Sequence, residues 1–432
     1  MHQSDLYRES IARFNLYNSY YMPFTCVLTH EEAMLENKLP RTKAKAYLNG
    51  IPFGIKDIFN TRTLPTEMGS KIWKNFIAGN NARCIDHLTT SGALAFGKTV
   101  TAEFAVHALN ETLNPYNIDR TPGTSSSGSA VAVALGIVPF AIGSQTAASI
   151  IRPASFCGVW GMKPSFGLIP RTGVLKTTDS LDTVGFFSFF GSDLKRILSV
   201  MRVKGPDYPY VYKSVDSRGP KPKSANNPWR VGIFRSQFWH HADEEVRDAL
   251  STLANTLAND VNIDVVEVSE SPGDHIHNNH SIIYDKSLAY YFEQEAMLAD
   301  QVSKLMLDAI HRGSKVSPID YKLALKQQAH DQQFVESLYC DYDVLLTLST
   351  ATTAPKRNIP EQPDPSLIWT YLGMPAINIP FSLSSAGLPV GLQIVSKRYD
   401  DYLLLQFLEY IQSRSIVDDP SLRVKIESLE PK

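Results

Sequence analysis

One stretch constrains this chain more than any other: Thr121 to Gly158, TPGTSSSGSAVAVALGIVPFAIGSQTAASIIRPASFCG. It opens on a turn signal, Pro122-Gly123, and runs through small hydroxyl residues, Thr124, Ser125, Ser126, Ser127 and Ser129. An apolar segment, Ala130 to Ile142, follows, then a second loop of small polar residues, Gly143 to Ser149. Two loops of small residues flanking a buried segment can lie side by side, because little side-chain bulk separates their backbones. That proximity suits a hydroxyl nucleophile beside a cradle of backbone N–H groups. Taken alone, the stretch reads equally as a Ser-rich turn before a core helix.

The 432 residues are enough for one large core or for two to three domains. Apolar residues make up 43% and charged residues 20%, the balance of a globular protein in water. A net charge of −2 gives no basic face for nucleic acid and no polybasic patch for a membrane. The four cysteines, Cys26, Cys84, Cys157 and Cys340, form no CxxC pair. That argues against a disulfide framework or a zinc knuckle and fits a reducing, cytoplasmic compartment. The N-terminal residues are polar and do not read as a signal peptide. The longest apolar run, Ala130 to Ile142, is interrupted by Gly136 and Pro139 and is too short to span a bilayer.

Residues 1 to 48 read as helical with loops, and Thr29 with Glu32 forms a capping-box pattern for a helix starting at His30. Ile51, Phe53, Ile55 and Ile58 suggest a buried strand carrying Lys56, which is unusual because lysine is rarely buried without a partner. Asn81 to Gly92 reads as a helix and Ala93 to Phe96 as a strand. Lys98 and Glu103 then read as a solvated pair. Lys204 to Trp229, with five prolines, reads as a surface loop. Arg230–Phe234, an amphipathic Asp243–Leu257 and Val261–Val268 form strand, helix and strand, a parallel unit of an α/β protein. Residues 274 to 330 read as mainly helical, and the histidines after Asp274 lack metal-ligand spacing. Tyr342–Leu348, Pro375–Phe381 and Leu388–Val395 read as strands and Asp400–Ile411 as a final helix.

Several chemistries fail on spacing. The Gly123–Ser129 loop has no lysine for a P-loop, no GxGxxG fits a dinucleotide, and Gly123-Thr-Ser-Ser-Ser misses the last glycine of a nucleophile elbow. Ser192 to Lys195 fits SxxK without supporting motifs, and Cys157 reads as a core thiol. What remains is a lysine on an apolar strand and two serine loops. A serine needs a base to become a nucleophile, and lysine is one only when neutral. Lowering its pKa from about 10.4 to 7 or 8 costs roughly 3 to 5 kcal/mol, which burial beside Ile51, Phe53 and Ile55 can impose.

At this point GIPFGIKD, TPGTSSSGSAVAVALG and GSQTAASIIRPASFCGVWGMKPSFG together resemble the amidase signature family. The resemblance continues through SLDTVGFF (Ser180–Phe187), YDVLLT (Tyr342–Thr347) and GMPAINIPF with GLPVGLQIV (Gly373–Val395), in order along nearly the whole chain. It implies an α/β fold, a single amidase-signature α/β/α sandwich domain over residues 1–432 built on a large mixed sheet. Within it lie a core motif region, 50–190, a variable substrate-side region, about 190–340, and C-terminal strands and a helix, 340–415. It further implies a Ser-cisSer-Lys triad in which Lys56 matches the lysine, Ser125 the serine held by a cis peptide, and Ser149 the nucleophile, 24 positions on. Thr146, Ala147, Ala148 and Ser149 match the oxyanion loop. Ser126, Tyr284 and Trp369 are candidate substrate contacts, with Tyr290 and Tyr291 as further aromatics of the variable region. No metal and no cofactor is implied. The expected partner is a small-molecule amide, with no nucleic acid or membrane, and a homodimer is a family-level expectation.

The loop departs from the family pattern, Asp-Thr-Gly-Gly-Ser-Ile-Arg. Here Gln145 replaces the acid, Ala147-Ala148 the glycines, and the arginine is displaced to Arg152. The acid and arginine are read as an ion pair replaced as a unit, and the alanines demand backbone angles that glycine does not. The implied activity is amide hydrolysis through an acyl-serine. Alternatives are the amidase subunit of an amidotransferase complex, an amide-forming acyl transferase, and a binding protein on the same scaffold.

Overall fold

Strands that read as unbroken apolar runs are those buried on both faces, and the middle of this protein is built from them. The computed structural model describes residues 3–36, 47–208, 211, 215, 223, 227–268, 273–338, 341–359 and 364–422. Its strands are β1 (Phe24–Val27), β2 (Pro52–Lys56), β3 (Leu94–Thr99), β4 (Phe140–Gln145), β5 (Trp160–Lys163), β6 (Thr183–Ser188), β7 (Trp229–Ile233), β8 (Ile263–Glu267), β9 (Val344–Leu348), β10 (Ala376–Leu383) and β11 (Pro389–Val395). They form one 11-stranded sheet in the order β1-β3-β2-β4-β6-β5-β10-β11-β9-β7-β8. Every residue of β2 to β6 is buried. β2 lies parallel between β3 and β4, and β7 parallel between β8 and β9, while the strands from β4 through β9 pair antiparallel. The sheet is therefore mixed and the class α/β, as the sequence pattern and the resemblance implied.

Most of the expected elements lie within a few residues of their sequence-based positions. The helix at His30 carries the capping box: Thr29 N donates to Glu32 at 2.8 Å and Glu32 N to Thr29 Oγ1 at 3.3 Å. Strand, helix (Glu244–Ala258) and strand form the parallel β7–β8 unit. The Ala130–Ile142 segment differs. It is not one buried run but the end of a helix, Ser127–Ala134, a turn at Gly136 with φ +64°, and the start of β4. The Lys204–Trp229 loop lies mainly outside the described residues. No helix among the described residues is long and apolar enough to cross a membrane.

Two close approaches position the site. The helix Ser127–Ala134 begins so near the end of β3 that a Cβ at Gly128 would lie 2.5 Å from Val100 N and 2.6 Å from Pro23 O. A Cβ at Gly313 would collide with the Asp285 carbonyl, where the helices His275–Tyr291 and Lys304–Lys315 cross. A second apolar cluster, including Tyr284, Leu288, Met306 and Trp369, forms around these helices. It stands apart from the sheet cluster of Phe53, Ile55, Val131 and Ile142.

Candidate active site

β2 ends on Lys56, in the interior of the sheet between β3 and β4. The side chain has no exposed surface. Its Nζ lies 2.5 Å from Ser125 Oγ and 2.9 Å from Ser144 Oγ. Burial holds the ammonium well below the ordinary lysine range, with the Asp182 charge pulling the other way. Two hydroxyls in place of a carboxylate are a surrounding that favours the neutral amine, which can take a proton.

Ser125 lies on the loop leading into the helix Ser127–Ala134. The expected cis peptide is absent: the described residues contain none. A trans backbone delivers the hydroxyl to Lys56, with the Ser125 carbonyl held by Thr101 Oγ1 at 2.9 Å. The helix is fastened to the strands by Ser129, whose hydroxyl meets Thr99 Oγ1 at 2.7 Å and donates to Ile142 O at 2.9 Å.

Ser149 sits 7% exposed between β4 and the helix Ile151–Phe156. The loop before it is pinned by its carbonyls. Thr146 O accepts from His280 Nε2 at 2.8 Å, Ala147 O from Thr370 Oγ1 at 2.6 Å, and Ala148 O from Arg152 N at 2.9 Å. The N–H groups of Ile150 and Ile151 donate to Gln145 Oε1 at 2.7 and 3.0 Å. Those of Ala147, Ala148 and Ser149 donate to no group of the described residues. Neither alanine has a positive φ, so the loop is built within the angles open to any L-residue. Arg152 forms a buried ion pair with Asp364 rather than with residue 145, where Gln145 anchors the loop as a neutral amide.

Asp182, from the SLDTVGFF motif, gathers Thr146 Oγ1 at 2.8 Å, Thr177 Oγ1 at 2.6 Å and Thr178 Oγ1 at 2.9 Å. A cavity of about 980 Å³ opens beside the loop, with Thr124, Ala147, His107, Arg152, Tyr284 and Asp364 in its wall. Burial pushes His107 and His280 down to about 4, so both are neutral at ordinary pH. His280 stacks on Tyr284 with centroids 5.7 Å apart.

Three of the substrate-contact expectations need correction. Ser126 is fully buried; its hydroxyl donates to Ser144 O at 3.1 Å and accepts from Ser144 N at 3.4 Å, tying two loops together. Trp369 is fully buried in the core, packed edge-on against Phe234 with centroids 5.1 Å apart. Tyr290 is 75% exposed and the Tyr291 hydroxyl donates to Asp179 at 2.8 Å, so neither belongs to the cavity wall. Tyr284 alone of the proposed aromatics is in that wall. Lys98 and Glu103 are also not a solvated pair: Lys98 is fully buried with Asp57 at 2.9 Å, and Glu103 accepts from Ser303 N at 3.0 Å. Cys157 is a core thiol, which burial pushes up.

The model of the family described as Amidase matches residues 5–405. The chain belongs to the amidase signature family. Among curated relatives of this amidase chain, a glutamyl-tRNA(Gln) amidotransferase subunit of Heliobacterium modesticaldum is 30% identical over 422 residues, covering 87% of this chain and 85% of the relative. Among solved structures, 6-aminohexanoate cyclic dimer hydrolase complexed with substrate superposes with a TM-score of 0.85 at 21% identity, over 99% of this chain and 96% of the other. The peptide amidase PAM, in complex with chymostatin, gives 0.81 at 21% identity over 98% and 96%. At that identity these two share the amidase fold.

Sequence reasoning did not single out Ser144, Gln145 as an anchor, Asp182, His280 or Thr370. Ser144 follows Gly143 on the strand beside β2, so pairing β2 with β4 would have found it. Asp182 stood inside a quoted motif. His280 and Thr370 come from 134 and 223 residues away from their partners, and no local pattern marks them.

Proposed function

We propose that this amidase cleaves the C–N bond of a small-molecule amide through an acyl-Ser149 intermediate. The observation that carries the reading is the buried, depressed-pKa Lys56 bonded to Ser125 beside a loop whose N–H groups point to no protein acceptor. Neutral Lys56 takes the Ser125 proton as Ser125 takes that of Ser149, and the Ser149 oxygen attacks the carbonyl carbon. The carbonyl π electrons move to oxygen, which the N–H groups of Ala147, Ala148 and Ser149 receive. Collapse breaks the C–N bond, the proton returns to the leaving nitrogen, and water hydrolyses the ester. A positioned base is worth about 10² to 10⁴-fold, and each oxyanion donor about 3 kcal/mol.

A second reading is favoured by the curated relatives, which are named as amidotransferase subunits. In it the same acyl-enzyme forms and the ammonia passes to a partner enzyme. Labelling with a fluorophosphonate, read by peptide mapping, tests what the two share: one adduct on Ser149, slowed strongly in Lys56→Ala, is expected. No adduct, or one indifferent to Lys56, sinks both. Ammonia release from amides by the isolated chain then supports the free hydrolase. Release only after a partner copurifies supports the amidotransferase reading, and sedimentation tells either from the homodimer.

A further inference from the structure

An oxyanion hole made of backbone N–H groups works only if each peptide plane is held in one orientation, because rotating a plane swaps its donor for its acceptor. In this protein the planes are held from outside the loop. The Thr146–Ala147 plane is fixed by His280 Nε2 on its carbonyl, 2.8 Å away, and the Ala147–Ala148 plane by Thr370 Oγ1, 2.6 Å away. In a trans peptide a carbonyl pulled one way sends the N–H of the same plane the other way, so these bonds turn Ala147 N–H and Ala148 N–H away from the protein acceptors. Thr370 is itself directed: Gln145 Nε2 donates to its hydroxyl at 2.8 Å, leaving its one proton for Ala147 O. Gln145 Oε1 meanwhile takes the N–H groups of Ile150 and Ile151.

The geometry points to Gln145–Thr370 and His280 as positioning residues of the oxyanion loop, aiming Ala147 and Ala148 N–H at the developing oxyanion. This inference rests on the acyl-Ser149 reading and deepens it. It also gives the loop's departures a common logic. A carboxylate at 145 accepts only, so it would compete for the Thr370 proton. An amide both accepts from the loop and donates to Thr370.

The test uses the full-length protein and three readouts: fluorophosphonate labelling of Ser149, kcat and KM on an amide found by screening, and melting temperature. Thr370→Val and His280→Phe keep volume and lose the donor. Each is expected to lower the labelling rate and kcat about 10- to 100-fold with KM and the pH midpoint of labelling unchanged. Thr370→Ser and His280→Gln, which restore a donor at the same reach, are expected to recover most of the rate. Thr370→Cys, close in size and a weak donor, carries the test should valine unfold the chain. Folded donor-less variants that label and turn over at the wild-type rate overturn the inference. So does a loss that appears only in KM or tracks melting temperature alone. Wild type that is not labelled on Ser149 is a separate result, which removes the acyl-serine reading and this inference with it.

Discussion

Lys56 and Lys98 stand one register step apart on neighbouring parallel strands, Ile55 opposite Lys98 and Lys56 opposite Thr99, and neither has exposed surface. Their partners are of opposite kinds. Lys98 has the Asp57 carboxylate at 2.9 Å, the Phe59 and Pro65 carbonyls and the Thr66 hydroxyl. Lys56 has two serine hydroxyls. A cation wrapped in a carboxylate and carbonyls is a strut, and one among hydroxyls is held ready to lose its proton.

Lys98→Met is therefore expected to act through stability. It leaves Asp57 buried without its cation, a change worth about 3 to 5 kcal/mol, and the urea midpoint should fall accordingly. Folded Lys98→Met below that midpoint should label on Ser149 at close to the wild-type rate. A variant of unchanged stability that fails to label would place Lys98 in the chemistry instead.

The pH dependence of Lys56 follows from its shift. Labelling of Ser149 should rise with pH to a plateau, with a midpoint well below the ordinary lysine value of about 10.4. The stability consequence has a definite sign. Between the folded and unfolded pKa the unfolded chain binds the extra proton, so stability rises with pH across that window. Lys56→Met removes that contribution. Urea denaturation at a series of pH values should show a shallower rise for the variant; parallel curves would refute the shift.

Arg152 and Asp364 are buried together and lie in the cavity wall. Burial pushes the Asp364 carboxyl up, and the Arg152 charge and hydrogen bond oppose it. Removing the arginine alone, as Arg152→Leu, should cost about 3 to 5 kcal/mol, and adding Asp364→Leu should recover much of it. A double-mutant cycle in urea reads the coupling directly; a coupling near zero would mean that the pair is incidental to the wall.

The sheet and the triad positions are legible in the sequence because they are local signals. β2 to β6 announce themselves as apolar runs, and Lys56, Ser125 and Ser149 fall in motifs with fixed order. The supporting residues are not. His280 sits in a stretch that reads as a polar helix start, and the pull of Thr146 O on its ring appears only once the helix His275–Tyr291 is folded against the loop. Trp369 misleads for the same reason: an aromatic in a variable region carries no mark of whether it faces a ligand or, as here, Phe234. Lys98 reads as solvated because its partner Asp57 lies on the segment after β2, 41 positions earlier.

Gln145→Glu tests the loop's departure from the family pattern most directly, since it changes one atom. The carboxylate can still accept from Ile150 and Ile151 N–H, but it cannot donate to Thr370, whose proton turns to it and leaves Ala147 O. The labelling rate should fall. A fully buried carboxylate, moreover, has its pKa raised by desolvation above the unfolded value of about 4.3. Such a group's stability deficit is small below the unfolded pKa and grows as pH rises through the folded one. The stability gap between Gln145→Glu and wild type should thus be narrow near pH 4, where the protonated carboxyl still donates to Thr370 as the amide does. It should widen toward neutrality as that acid gives way to an anion. A gap that does not change with pH would mean that the site stabilises charge, and that the amide at 145 was not needed to direct Thr370.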